Sequence, residues 1–138
     1  MSDVTITLTE VDGHRRASSG SKWEPLIGYS RAVRAGNTIS VTGTVGANAD
    51  GSYDPSLAAQ TRRALTIIQA AIEALGGRLQ DVVRTRMFVM DVSRWQEIGA
   101  VHAEFFRDIR PATTMVEVRK LIDSAALIEI EADAVVLG

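Results

Sequence analysis

Three carboxylates at alternate positions, Glu129, Glu131 and Asp133, are the residues of this chain best placed by spacing to do chemistry. Alternate side chains of a strand share a face, so the three form one row with neighbours roughly 7 Å apart. Ile128, Ile130, Ala132, Ala134 and Val136 take the opposite face, which belongs to a hydrophobic core. Left in water, the acidic row is a solvated sheet surface. It becomes functional only if the chain supplies partners for its charges. Arg84 and Arg86 alternate against Thr85, Met87 and Val89 in the same way and are candidate partners.

Other reactive groups are few. There is no cysteine, which removes disulfides, thiolate metal ligands and a thiol nucleophile. His14 and His102 are the two histidines, too few for a histidine-rich metal site. His102 falls on or beside an apolar helical stripe, where a satisfied core histidine is the better reading. Ser18-Ser19-Gly20-Ser21 could offer backbone N–H groups to an anion, but it lacks the lysine and spacing of a phosphate-binding loop. A surface loop is the favoured reading. Trp23 either caps a core edge or lines a pocket.

The elements that position these groups are legible in outline. Val4 to Leu8 alternates as a short first strand, and residues 11 to 25 read as an irregular loop. Tyr29–Val33 and Thr38–Thr42 flank Gly36-Asn37, a tight hairpin. Ser56 is an N-cap for a helix whose stripe is Leu57, Ala64, Leu65, Ile68, Ile72 and Leu75, ended by Gly76-Gly77. Val83 to Met90 is a strand. Ser93-Arg94-Trp95-Gln96 reads as a capping box for a second helix with Trp95, Ile98, Val101, His102, Phe105 and Phe106 inward, stopped near Arg110 by Pro111. Thr113–Val118 is the next strand, and Leu121–Ala126 leads to the acidic one.

At 138 residues and 46% apolar content the chain fits a single domain, 1–138. Fifteen basic against seventeen acidic residues leave a net charge of -2, with no Lys/Arg cluster, which argues against nucleic acid as partner. No basic segment precedes an apolar one at the N-terminus and no apolar run nears a membrane span, so a cytoplasmic protein without membrane association is expected. The fold class is α+β: a mixed sheet with two helices packed on one face. The other face carries mixed charge. It is either solvent-exposed or shared between copies, with carboxylates of one strand balancing arginines of another.

Gly28-Tyr29-Ser30-Arg31-Ala32-Val33, Val41-Thr42-Gly43-Thr44-Val45-Gly46, Gln60 to Leu65, Val83-Arg84-Thr85, Arg110-Pro111-Ala112-Thr113-Thr114 and Ile128-Glu129-Ile130-Glu131-Ala132 resemble the corresponding segments of the YjgF/RidA family of reactive intermediate deaminases. The resemblance spans nearly the whole chain. It implies a chorismate-mutase-like fold and a homotrimer with small-molecule clefts between subunits. It also implies hydrolysis of enamines and imines without a metal or organic cofactor. Tyr29 matches the family's cleft tyrosine, and Glu129 the glutamate thought to position the attacking water.

Thr113 stands where the deaminating members carry an arginine that clamps the substrate carboxylate. Gly99 replaces an asparagine on the second helix, and Met115 a cysteine or another small residue near the cleft. Gly43 and Trp23 complete the substrate-binding candidates. Arg31, Arg86 or Arg119 would have to replace the missing clamp, although a salt-bridge or surface role suits each better. Three functions follow: an imine or enamine deaminase with non-standard substrate choice, a non-catalytic metabolite-binding trimer, and an RNA-directed translation inhibitor or endoribonuclease. The charge balance weighs against the last.

Overall fold

The computed structural model describes residues 3–138. Its strands are β1 Thr7–Val11, β2 His14–Ser18, β3 Ala32–Ala35, β4 Thr38–Val45, β5 Val82–Val89, β6 Ala112–Glu117 and β7 Ile128–Val135; its α-helices are α1 Trp23–Ile27, α2 Leu57–Ala74 and α3 Trp95–Phe106. The strands form one sheet in the order β1-β2-β3-β4-β7-β5-β6. Neighbours are antiparallel except β5 and β6, whose parallel pairing is made possible by the α3 crossover.

The core lies between α2, α3 and one face of the sheet. In β7, Ile128, Ile130, Ala132 and Ala134 are fully buried, as strict alternation requires. From α2 the predicted stripe Leu57, Ala64, Leu65, Ile68, Ile72 and Leu75 is buried against them. Ser56 caps this helix by accepting the Ala59 N–H at 3.2 Å. At its other end Gly76 takes the left-handed φ of 86°. Its N–H and that of Gly77 then reach the carbonyls of Glu73 at 3.0 Å and Ile72 at 2.9 Å, which satisfies two terminal acceptors.

Six expectations need correcting. The first strand starts at Thr7 rather than Val4, and residues 11 to 25 are not an irregular loop: they hold β2 and α1. Asp12 and Gly13, at φ 54° and 81°, make the two-residue hairpin that joins β1 to β2. β3 begins at Ala32, so Tyr29 and Arg31 precede it. The capping box at Ser93 does not form. Asp91 accepts the Ser93 N–H at 3.0 Å and opens a short 3-10 turn, Val92–Arg94, that runs into α3. Trp95 consequently points outward, 57% exposed, and α3 ends at Phe106 instead of near Arg110.

Two helices therefore cover one face of the sheet, as read from sequence, while α1 is a third helix, at the rim of the other. Its residues Glu24 and Pro25 share an open hollow with Glu131 and Asp133. The open face and the two exposed edge strands, β1 and β6, are what the fold leaves unpartnered.

Candidate active site

Glu129 lies on the open face of β7, opposite Val45 of β4 and Phe88 of β5. The β4–β7 pairing shifts register between Val41 and Thr44, and this irregularity brings the backbone of Gly43 beneath the Glu129 carboxylate. A Cβ at Gly43 would stand 2.9 Å from Cδ of Glu129 and closer still to Oε2. Only glycine leaves the carboxylate where it is. Among the described residues none donates a hydrogen bond to the Glu129 carboxylate. Burial raises its pKa, the neighbouring Glu131 raises it further, and Arg31 pulls it partly back.

The other two carboxylates of the row are occupied. Arg86 Nη1 lies 3.4 Å from Glu131 and 3.2 Å from Asp133. Alternation could not tell the three acids apart. The partner does: Glu129 is the one without an arginine within ion-pair distance.

Arg31 holds the bulge. It is buried, donates Nη1 to the Gly43 carbonyl at 2.9 Å and to Thr44 Oγ1 at 3.2 Å, and donates Nε to Ser19 Oγ at 3.0 Å. Its Nη2 is 3.7 Å from the buried Glu24 of α1. Glu24 in turn accepts the Ser19 N–H and hydroxyl at 3.2 and 3.0 Å and the Ser21 N–H at 3.2 Å. The serine-rich stretch thus serves as the ordered seat of a buried ion pair. Tyr29 stacks its ring 5.6 Å from the Arg31 guanidinium carbon and borders the hollow that contains Glu131 and Asp133. Trp23 lies in a second hollow of about 670 Å³, together with Arg31, Lys22 and Tyr53. Sequence reasoning missed Tyr53. Burial raises its phenol pKa, and the charges of Asp123 and Glu129 raise it further, which puts it within electrostatic reach of Glu129.

Thr113, Met115 and Gly99 form a separate group. Thr113 pairs with Thr85 and Met115 with Met87, on the helix-covered side of the β6 edge. Thr113 Oγ1 is 2.7 Å from Thr85 Oγ1, which is 2.9 Å from His102 Nε2 on α3. His102 is a satisfied histidine packed on Phe106, ring centroids 4.7 Å apart. Gly99, three residues before it, faces open space, since a Cβ there would meet no atom within 4 Å. Through Thr85 this group aligns with Ala132, three residues from Glu129 and on the opposite face of the sheet. One chain does not bring the two groups together. Arg31 and Arg86 are spent on acidic partners, and Arg119 is exposed.

Among the described residues no group of three or more acidic, histidine or cysteine side chains could hold a metal ion, and no helix is long and apolar enough to cross a membrane.

An open mixed sheet backed by α2 and α3, with a bulge-seated glutamate on its free face, is the chorismate-mutase-like α+β architecture. Residues 20–136 match the family model described as Endoribonuclease L-PSP. A solved Mycobacterium tuberculosis member of the YjgF/YER057c/UK114 family is 50% identical, with a TM-score of 0.83 over 89% of this chain and 99% of that one. The 3-aminoacrylate deaminase RutC of Acinetobacter baylyi is 37% identical over 108 residues, 77% of this chain and 85% of that protein. The 2-iminobutanoate/2-iminopropanoate deaminase of Escherichia coli is 35% identical over 111 residues, 78% of this chain and 86% of that protein. The chain belongs to the YjgF/RidA family.

Proposed function

We propose that the protein hydrolyses reactive imines or enamines to carbonyl compounds and ammonia, in clefts that two copies of the chain complete within a homotrimer, and that its substrate lacks the usual carboxylate or presents it differently. The observation that carries this reading is Glu129: a half-buried carboxylate with raised proton affinity, seated over Gly43 and without a hydrogen-bond donor. Such a group takes a proton from water as the oxygen bonds to the imine carbon and the C=N electron pair moves to nitrogen. It passes that proton to nitrogen, then takes the hydroxyl proton of the resulting carbinolamine and delivers it to nitrogen as the C=O bond forms, the C–N bond breaks and ammonia leaves. The relatives named as imine and aminoacrylate deaminases support the reaction class. Cytoplasmic residence is proposed with it.

The split of the candidate residues supports a composite cleft. Glu129, Gly43, Tyr29 and Trp23 belong to one group, Thr113, Met115 and Gly99 to another, and the open face and the β6 edge are free to meet a second copy. Light scattering should give a mass three times that of the 14.9 kDa chain. A stable monomer at micromolar concentration would contradict it. Ammonia release from a panel of imines generated in situ tests the activity. Silence across the panel, with metabolites still bound, would favour the second reading, a non-catalytic binding trimer, for which the uncharged Thr113 at the clamp position argues. An RNA-directed role has the net charge of -2 against it, and retention on RNA at low salt tests it.

A further inference from the structure

Resting on that reading of the cleft, we propose that Thr113, backed by Thr85 and His102, selects the substrate's head group and takes an uncharged polar head, a carboxamide, in place of a carboxylate. The Thr85 hydroxyl is fully buried between two partners, His102 Nε2 at 2.9 Å and Thr113 Oγ1 at 2.7 Å. A hydroxyl has one proton, so Thr85 donates in only one of the two bonds. Two arrangements follow. If His102 Nε2 accepts, Thr85 donates to it, Thr113 donates to Thr85, and Thr113 shows only lone pairs outward. If Nε2 carries the proton, the chain runs the other way and the Thr113 proton is free for a ligand. Its acceptor within the chain, the Pro111 carbonyl, is 3.4 Å away, too long to compete well.

In neither arrangement does Thr113 carry charge. His102 has no ion pair with any described carboxylate, and burial holds its pKa below the ordinary value, so the imidazole behind the hydroxyls is neutral near pH 7. From this hydroxyl row a carboxylate would find at most one proton and no counter-charge, beside Met115 and the open space over Gly99. A carboxamide brings both an N–H donor and a carbonyl acceptor. It satisfies Thr113 whichever way the chain runs. His102 acts through Thr85 and is a positioning residue.

The test is calorimetric binding of two unreactive product-like ligands, 2-oxobutanamide and 2-oxobutanoate, to the assembled protein. Wild type should bind the amide more tightly. Thr113→Val keeps shape and removes the hydroxyl; it should weaken the amide roughly 2- to 10-fold and the acid less, lowering the amide-to-acid ratio. His102→Phe should erode the same ratio, while His102→Gln, which keeps a polar group near the Nε2 position, restores it. A purely structural role for His102 would move both ligands alike. Tighter binding of the acid, or an amide-to-acid ratio unmoved by Thr113→Val, overturns the inference. Ammonia release with no amide preference would sink it and leave the deaminase reading standing. An amide preference without ammonia release from any imine would uphold the head-group assignment and remove the deaminase reading instead.

Discussion

Gly43 and Glu129 occupy one space: the glutamate carboxylate rests where a side chain on Gly43 would be. Gly43→Ala should therefore cost little stability, because the group that must yield is the end of a flexible side chain. It should still displace the Glu129 carboxylate, to which we assign the proton transfers. The expected result is a fall of at least tenfold in kcat with an unchanged melting temperature. Gly46 makes the control, since a Cβ there would run into the backbone carbonyl of Gln60 in α2, which cannot swing away. Gly46→Ala should lower stability by about 2 kcal/mol or more, read from urea unfolding.

Glu129→Gln should stabilise the fold at neutral pH. Burial and Glu131 raise the folded pKa, so the folded state holds this proton more tightly than the unfolded chain does. The resulting stability is fully present below the ordinary glutamate value and is lost as pH rises through the higher folded value. Thermal melts should show the variant above wild type at neutral pH, with the gap closing in mild acid. A gap that widens in acid would mean the carboxylate is stabilised as an anion.

Arg31 and Glu24 are 7% and 6% exposed at their side chains, so breaking the pair leaves a buried charge. Arg31→Leu should cost about 3–5 kcal/mol in chemical denaturation. Combining it with Glu24→Leu should restore part of that loss. Activity should not return with stability, since the Gly43 carbonyl loses its donor in both variants.

Thr113→Arg tests the missing clamp. A charge-assisted hydrogen bond contributes about 1.5–3 kcal/mol, so wild type should fall short of the variant by about 10- to 150-fold in kcat/KM on imines of simple 2-amino acids. Thr113 is exposed, and Gly99 opposes no atom, so both Thr113→Arg and an added Gly99→Asn fit without displacing the core. High wild-type rates of 2-oxo acid formation on these imines would show that another group already holds the carboxylate.

What sequence revealed follows from periodicity. β7 and α2 were legible because one face of each is buried end to end, which forces a period of two or of 3.6 on the apolar residues. β2 was not, because of its residues only Ala17 is buried and His14, Arg15 and Arg16 read as loop. The Asp12-Gly13 turn was the signal that could have found it. α1 is five residues long, too short to show a stripe. Within the site, the acidic row could be read, but alternation could not divide it and only the family resemblance singled out Glu129: the division depends on Arg86, brought alongside by β5, and on a bulge that alternation does not encode. The Arg31–Glu24 pair and the hydroxyl chain from His102 to Thr113 are contacts between different elements, without any local pattern.

The central claim is that Glu129 of one copy and Thr113 of another serve one cleft. Subunit complementation measures it directly. Glu129→Gln removes the carboxylate and Thr113→Trp blocks the second wall, so each variant alone should release no ammonia from an imine that wild type hydrolyses. Unfolded together and reassembled in equal amounts, random trimers should hold about a quarter of their clefts with both wild-type residues, and ammonia release should return in that proportion. A mixture that assembles fully and stays as silent as its two parents would contradict the account.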